Sequence, residues 1–171
     1  MANPSGGPGV LTFFCPRCYA ENRQEDEQCR SCGARLDEES GDYVERLIRF
    51  SLHHPVPSIP PMAAETLGQI GDKRAVEPLM EMLSTSEEPG LLEAAAEALG
   101  RLKDDRAVPA LHALLQRGTL PARMNAVVAL GRIGGDEASR VLEEVAASDP
   151  SERVREEAKS ISAWRRQAYG R

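Results

Sequence analysis

Four cysteines lie within one eighteen-residue stretch, as Cys15-Pro-Arg-Cys18 and, ten residues later, Cys29-Arg-Ser-Cys32-Gly33; the rest of the chain has none. Two C-x-x-C pairs brought together by a short hairpin place four thiolates at tetrahedral reach, which is the ligand set of a structural Zn²⁺. With Cys15, Cys18, Cys29 and Cys32 all ligating, no open position remains for a substrate or an activated water. Paired cysteines have other uses. Two disulfides need an oxidising compartment. A redox C-x-x-C needs only one motif and sits beside a βαβ pattern, which neither pair has here. A tetrathiolate iron site is a further reading of the same spacing.

The elements that must position these ligands are small, and most of the chain lies beyond them. The length is 171 residues, suited to one domain plus something small. Hydrophobic residues make up 41% and charged residues 28%, a balance that folds. Lys plus Arg number 21 against 27 Asp plus Glu, so the net charge is −6, which disfavours a bulk electrostatic grip on nucleic acid or anionic lipid. Apolar runs such as Val10–Phe14 and Ala126–Leu130 fall far short of the roughly 20 residues that span a bilayer. The first ten residues carry no Lys or Arg and no apolar core, so they read as a flexible tail on an unprocessed cytoplasmic chain. Rings are sparse, and none occurs between Ser51 and Ala163, so the body of the chain lacks the usual platform for stacking a base or a planar chromophore.

The stretch FFCPRCYAENRQEDEQCRSCGARL resembles the short zinc ribbons that open many bacterial proteins, in its Cys-Pro-x-Cys knuckle, the Ala-Glu-Asn that follows, the second Cys-x-x-Cys-Gly knuckle and the closing Leu36. Tyr19 departs from the glycine usual at that point of the first knuckle. The resemblance implies a unit that recruits partners or acts as a stable cap, without catalysis of its own. From Leu11 to Leu36, four arginines are matched by four acids, and a Zn²⁺ with four thiolates adds negative charge, so nucleic acid is an unlikely partner.

Beyond the ribbon the chain repeats with a period of 31 to 32: LGQIGDKRAVEPL lies over LGRLKDDRAVPAL and then over LGRIGGDEASRVL. Leu67, Leu99 and Leu130 align, each followed by Gly68, Gly100 or Gly131, and Ala63, Ala95, Ala126 and Ala158 form a column four residues earlier. Apolar spacings of 4, 4 and 3 trace one face of a helix, and Val76, Leu79 and Leu83 trace a second, so each unit is two helices. Gly71-Asp72, Lys103-Asp104 and Gly134-Gly135 separate them, where a glycine ends one helix and an aspartate caps the next; Lys103 breaks that glycine column. Pro89-Gly90 and Thr119 precede first helices, and Asp149-Pro150-Ser-Glu152 combines a cap, an N1 proline and an acid at N3. Such units bury their apolar faces only by stacking. The expected fold is an all-α solenoid, 42–171, with three full repeats and a half repeat at each end, joined to a ribbon at 11–36 by the acidic linker 37–41 and preceded by the tail 1–10.

These columns resemble HEAT repeats, in particular the HEAT-like repeats of phycobilisome lyases, from about Asp42 to Trp164. The resemblance implies that second helices line a concave binding face, whose columns run Ile48, Met80, His112, Glu143 and Arg49, Glu81, Ala113, Glu144. A surface graded from apolar to acidic suits a protein or peptide segment, against the plain reading of a solvated ridge. Iron hydroxylases built on similar repeats need His-Glu pairs in successive units, and this chain has no such dipeptide. It also lacks a Ser-His-Asp order, a Gly-rich phosphate loop and HExxH. Ser151–Arg171 holds six basic residues against three acids. There Arg153, Arg155, Arg165 and Arg166 suit an acidic segment such as the chain's own Asp37, Glu38, Glu39 and Asp42, or simply form a solvated capping helix.

The expected function is a non-catalytic adaptor or scaffold that binds a protein or peptide, with Zn²⁺ as the sole cofactor and no membrane contact. A chromophore-lyase subunit and a nucleic-acid-binding ribbon are the alternatives from other classes.

Overall fold

A computed structural model describes residues 12–15, 20–23, 26–35 and 43–169. The tail 1–10, the linker 37–41 and Cys18 lie outside them. At the N-terminus β1 (Thr12–Phe14) pairs antiparallel with β2 (Glu21–Arg23), Phe13 opposite Asn22, and an isolated bridge joins Gln28 to Arg35. Each knuckle closes on a backbone bond, from the Cys15 amide to the Ala20 carbonyl at 2.9 Å and from the Cys29 amide to the Ala34 carbonyl at 2.7 Å. Gly33 turns the second knuckle with φ +71°.

The solenoid comprises α1 (Tyr43–Arg46) with a π-helical continuation (Leu47–Ser51), then α2 (Ile59–Ile70), α3 (Val76–Thr85), α4 (Pro89–Leu102), α5 (Val108–Arg117), α6 (Leu120–Ile133), α7 (Gly135–Ser148) and α8 (Glu152–Tyr169). The pairs α2–α3, α4–α5 and α6–α7 are the three full units; α1 is a second helix without its first, and α8 a first without its second. Chain order within a unit sets the layers: α2, α4, α6 and α8 stack side by side, and α3, α5 and α7 form the other layer.

The first-helix layer packs closely because its contact residues are small. A methyl added at Gly68 would stand 2.7 Å from the Ala98 Cα, and one at Gly100 2.7 Å from the Ala129 Cα. The aligned leucines Leu67, Leu99 and Leu130 and the column Ala63, Ala95, Ala126 and Ala158 are buried. So are Val76, Leu79, Leu83, Val108, Leu111 and Leu115 from the second helices. These residues form one continuous core with no separate centre for each unit.

Local chemistry follows the sequence in most loops and departs in four. Asp72 caps the 3₁₀ turn Lys73–Ala75 by accepting from the Arg74 amide at 2.9 Å, and Asp104 repeats this with Arg106 at 3.2 Å. Lys103 takes the left-handed conformation, φ +51°, that its glycine-bearing counterpart Gly71 takes at φ +80°. Its strain is offset by Lys73, whose ammonium donates to the Leu102 and Lys103 carbonyls at 2.5 and 3.1 Å, meeting the negative end of α4. Pro89-Gly90 is the first turn of α4 and no loop, because the Glu88 carboxylate accepts from the Gly90 and Leu91 amides. Helix α8 starts at Glu152, leaving Pro150 outside, because the Asp149 side chain is committed to Arg123 as well as to the Ser151 amide. In the first half repeat the π-helical stretch absorbs one extra residue. Leu52, 2% exposed, ends that unit where the 32-residue register would have put Ser51 opposite Leu83.

Candidate functional site

Hairpin and knuckle geometry converge on the cysteines. The sulfurs of Cys15, Cys29 and Cys32 lie within 4.8 Å of one another, and the Cys15 and Cys32 Sγ atoms are 3.7 Å apart. That separation is far longer than a disulfide bond. It equals the edge, about 3.8 Å, of a tetrahedron of thiolates around an ion at 2.3 Å. Cys15 and Cys29 are buried and Cys32 is exposed. The Ser31 amide donates to the Cys29 sulfur at 3.4 Å. The described residues therefore present three sulfurs that could hold one metal ion. Their donor type and spacing fit a soft, tetrahedral ion, and the fourth sequence ligand, Cys18, lies outside the described residues.

Asn22 holds the two knuckles in register. It is 1% exposed; its amide nitrogen donates to the Ala20 carbonyl at 2.6 Å, and its Oδ1 accepts from the Arg30 amide at 3.0 Å. In the sequence Asn22 is only the last residue of the Ala-Glu-Asn that follows the first knuckle, and its bridging role comes from the fold. The Arg30 guanidinium pairs with Asp26 at 2.7 Å, so it is not a bare cation for a phosphate.

The second-helix columns of the solenoid differ in exposure. Ile48 and Met80 are half-buried, His112 is partly exposed, and Arg49, Glu81, Glu143 and Glu144 are exposed. The structure joins some of these: His112 Nε2 is 3.5 Å from the Glu144 carboxylate of the next unit, and Glu143 is 3.8 Å from Arg166. Met80 and Glu81, with Glu77, Pro78, Ser84 and Ala110, line an open depression of about 470 Å³ between α3 and α5. Ile48 and Arg49 are not part of it.

Most of the other cations clamp one unit to another. Arg106 bridges Asp104 at 2.9 Å and Glu77 of the preceding unit at 3.0 Å, and Lys73 stands 3.5 Å from Asp104. The Arg106 hydrogen bond, aided by the positive charge of Lys73, holds the Asp104 carboxyl down at about 2. Arg117 donates to the Leu83 and Ser86 carbonyls one unit back, and Arg165 to the Gly131 carbonyl at 2.7 Å. Arg123, 16% exposed, meets Asp149, 4% exposed, through Nε at 3.1 Å and Nη2 at 3.2 Å. Arg155 donates to the Asp149 carbonyl at 2.7 Å. Thus three of the four arginines grouped in the sequence as a basic patch, Arg155, Arg165 and Arg166, are each engaged within the fold. No helix among the described residues is long and apolar enough to cross a membrane.

A family model of HEAT repeats matches the chain in three overlapping stretches, residues 27–100, 44–121 and 76–162, and a zinc-ribbon domain model matches residues 14–36. The chain belongs to the HEAT-repeat family and carries a zinc-ribbon domain at its N-terminus. The match is to HEAT repeats as a class and does not single out the lyase group. No curated protein matches the chain.

Proposed function

We propose that this protein is a non-catalytic adaptor or scaffold of the cytoplasm. In this reading a ribbon at 11–36 holds one structural Zn²⁺ on Cys15, Cys18, Cys29 and Cys32. Linker 37–41 then joins it to the solenoid 42–171, whose second helices bind a protein or peptide segment. The ridge for that segment is Ile48, Arg49, Met80, Glu81, His112, Glu143 and Glu144.

The observation that carries this reading is the depression between α3 and α5. There a half-buried thioether, Met80, sits beside Glu81 and the Arg106-paired Glu77, so the depression shares Met80 and Glu81 with the ridge. An adaptable apolar side chain rimmed by acids accepts a segment that combines an apolar anchor with basic residues. Zinc in a closed thiolate shell would cross-link the ribbon and supply no reactive position. The test is affinity capture from native extract with the intact chain beside a Met80→Arg variant and a Cys29→Ser/Cys32→Ser variant. A protein lost with Met80→Arg and kept with the cysteine variant supports the reading. Loss with the cysteine variant alone moves recognition to the ribbon, and bound nucleic acid or a bilin overturns it.

A further inference from the structure

In the first-helix layer α4, α6 and α8 are each covered on one side by the first helix before them, whereas α2 has none before it among the described residues. Where the cover exists, its chemistry repeats. A glycine of one helix meets one residue of the next, Gly68 against Ala98, Gly100 against Ala129 and Gly131 against Ile161. Four residues before each glycine stands a fully buried small or branched residue, Ala64, Ala96 or Val127. Thr66 is the counterpart of Ala98 and Ala129 in α2, and the stripe Ile59, Met62, Thr66 and Ile70 runs at helical spacing along that side. Met62 is 65% exposed, and Ile70 is 43% exposed where its counterpart Leu102 is 3% exposed. Tyr43, also exposed, occupies the position at which Ala75 is fully buried. Tyr43 and Leu47 line, with Met62 and Thr66, a depression of about 210 Å³ between the first half repeat and α2. It is the seat that the first helix of that half repeat would fill.

The chain itself has no helix to spare for this seat. Its tail carries Pro4, Gly6, Gly7, Pro8 and Gly9, a composition that opposes a helix. Residues 36–42 are too few for a cover of 12 to 14 residues and hold four acids, which the stripe would strip of water unpaired. The described ribbon residues leave Met62 and Tyr43 exposed. A second copy fits no better. Its α8 sets Lys159 and Ala163 where covering helices set Ala64 and Gly68, and Lys159 is paired with Glu156 at 2.8 Å, so that face would bury an ion pair against Met62. Two α2 stripes facing each other set Thr66 on Thr66, with no glycine to admit a close approach. We propose that the first half repeat and α2 seat one amphipathic helix of a partner protein, which takes the place of the missing first helix. That helix carries alanine or valine and then glycine four residues later, on an uncharged stripe. Its glycine lies over Thr66, and an apolar side chain enters the depression beside Met62. The contact is separate from the second-helix ridge.

The probe is a labelled synthetic peptide of residues 88–103 of this chain, which carries Ala96, Gly100 and its own cap, Glu88. Fluorescence anisotropy with the intact, metal-loaded protein should show saturable binding. Met62→Glu or Ile70→Glu, each placing a carboxylate under the helix, should weaken it at least about tenfold. Both positions are exposed, and an unchanged far-ultraviolet signal certifies the fold of each variant. Gly100→Leu in the peptide raises its helix propensity yet should still remove binding, because bulk there holds the helices apart. Met80→Arg in the protein should leave binding intact. A peptide that does not bind overturns the inference, as does binding indifferent to Met62→Glu and Ile70→Glu, or to Gly100→Leu. Binding lost with Met80→Arg places the peptide on the ridge and overturns it too. Self-association in sedimentation velocity that Met62→Glu abolishes overturns it in favour of a second copy.

Discussion

The Asn22 Oδ1 accepts the Arg30 amide at 3.0 Å while its own amide nitrogen donates to the Ala20 carbonyl, so one buried side chain spans both cysteine knuckles. Its effect on the metal is indirect, through the positions of Cys15 and Cys29. Outer-shell partners of this kind are typically worth ten- to a hundredfold in metal affinity. Asn22→Ala is expected to weaken Zn²⁺ binding by about that factor, measured by competition with a chromophoric chelator. An affinity equal to that of the unaltered chain would show that the strands alone hold the knuckles.

Cysteine replacement separates the two parts of the chain. Cys29→Ser/Cys32→Ser is expected to abolish metal binding while the far-ultraviolet helical signal stays essentially unchanged, because the buried solenoid core includes no ribbon residue. A large fall in helicity would show that the ribbon supports the repeats.

Gly100 measures how tightly first helices stack. Within a helix, Gly→Ala normally stabilises by about 1 kcal/mol. Here the new methyl would stand 2.7 Å from the Ala129 Cα, which is backbone and must shift. Gly100→Ala is therefore expected to destabilise by about 1–3 kcal/mol, read from the urea midpoint. A rise in the midpoint would mean that the layer opens freely.

The Arg123–Asp149 pair joins the third unit to α8 in a nearly dry setting. Asp149→Ala leaves a mostly buried guanidinium and removes the acceptor of the Ser151 amide. The expected cost is about 3–5 kcal/mol, as for other broken buried pairs. Hydrogen exchange should show α8 losing protection before α4. Uniform loss would instead indicate that the whole stack unfolds as one unit.

Asp104 gives a pH signature. Its folded-state carboxyl titrates at about 2, below its ordinary 3.8, because Arg106 donates to the charged form. A depressed acid contributes stability above its unfolded value, and that contribution is lost as pH falls from about 4 to about 2. Asp104→Asn keeps the acceptor for the Arg106 amide but removes the charge that Arg106 and Lys73 face, and should lower stability at neutral pH by about 0.2–1 kcal/mol. It should also flatten the acid dependence across that window, followed by thermal melts at successive pH values. An unchanged acid profile would assign the dependence to other carboxylates.

Much of this architecture was legible because the repeat is periodic. A column such as Leu67, Leu99 and Leu130 is apolar in every unit for one reason, so alignment of the chain with itself locates the core. The cysteine spacing is legible on the same principle, since coordination geometry restricts which separations work. The departures occur where one residue serves two neighbours. Asp149 reads locally as a helix cap, but Arg123, 26 residues earlier, claims its carboxylate. Ser51 reads as the counterpart of Leu83, but a π-helical turn hands that place to Leu52. Lys103 breaks the glycine column in the sequence and keeps its left-handed turn in the fold, held by Lys73 from the preceding unit.

The sequence by itself determined the repeat, the helix pairing, the buried columns and the cysteine pairs that cluster at the N-terminus, because these rest on periodicity and on short-range spacing. Only the tertiary structure decided which charges remain available. Arg153, Arg155, Arg165 and Arg166 form a basic patch along the chain, yet Arg155, Arg165 and Arg166 are engaged within the fold, while Lys103 and Arg132, 29 positions apart in number, line one groove with Trp164. Stacking places residues about one repeat apart side by side. The partner of a charged side chain is therefore set by the neighbouring unit, and spacing within one helix does not reveal it.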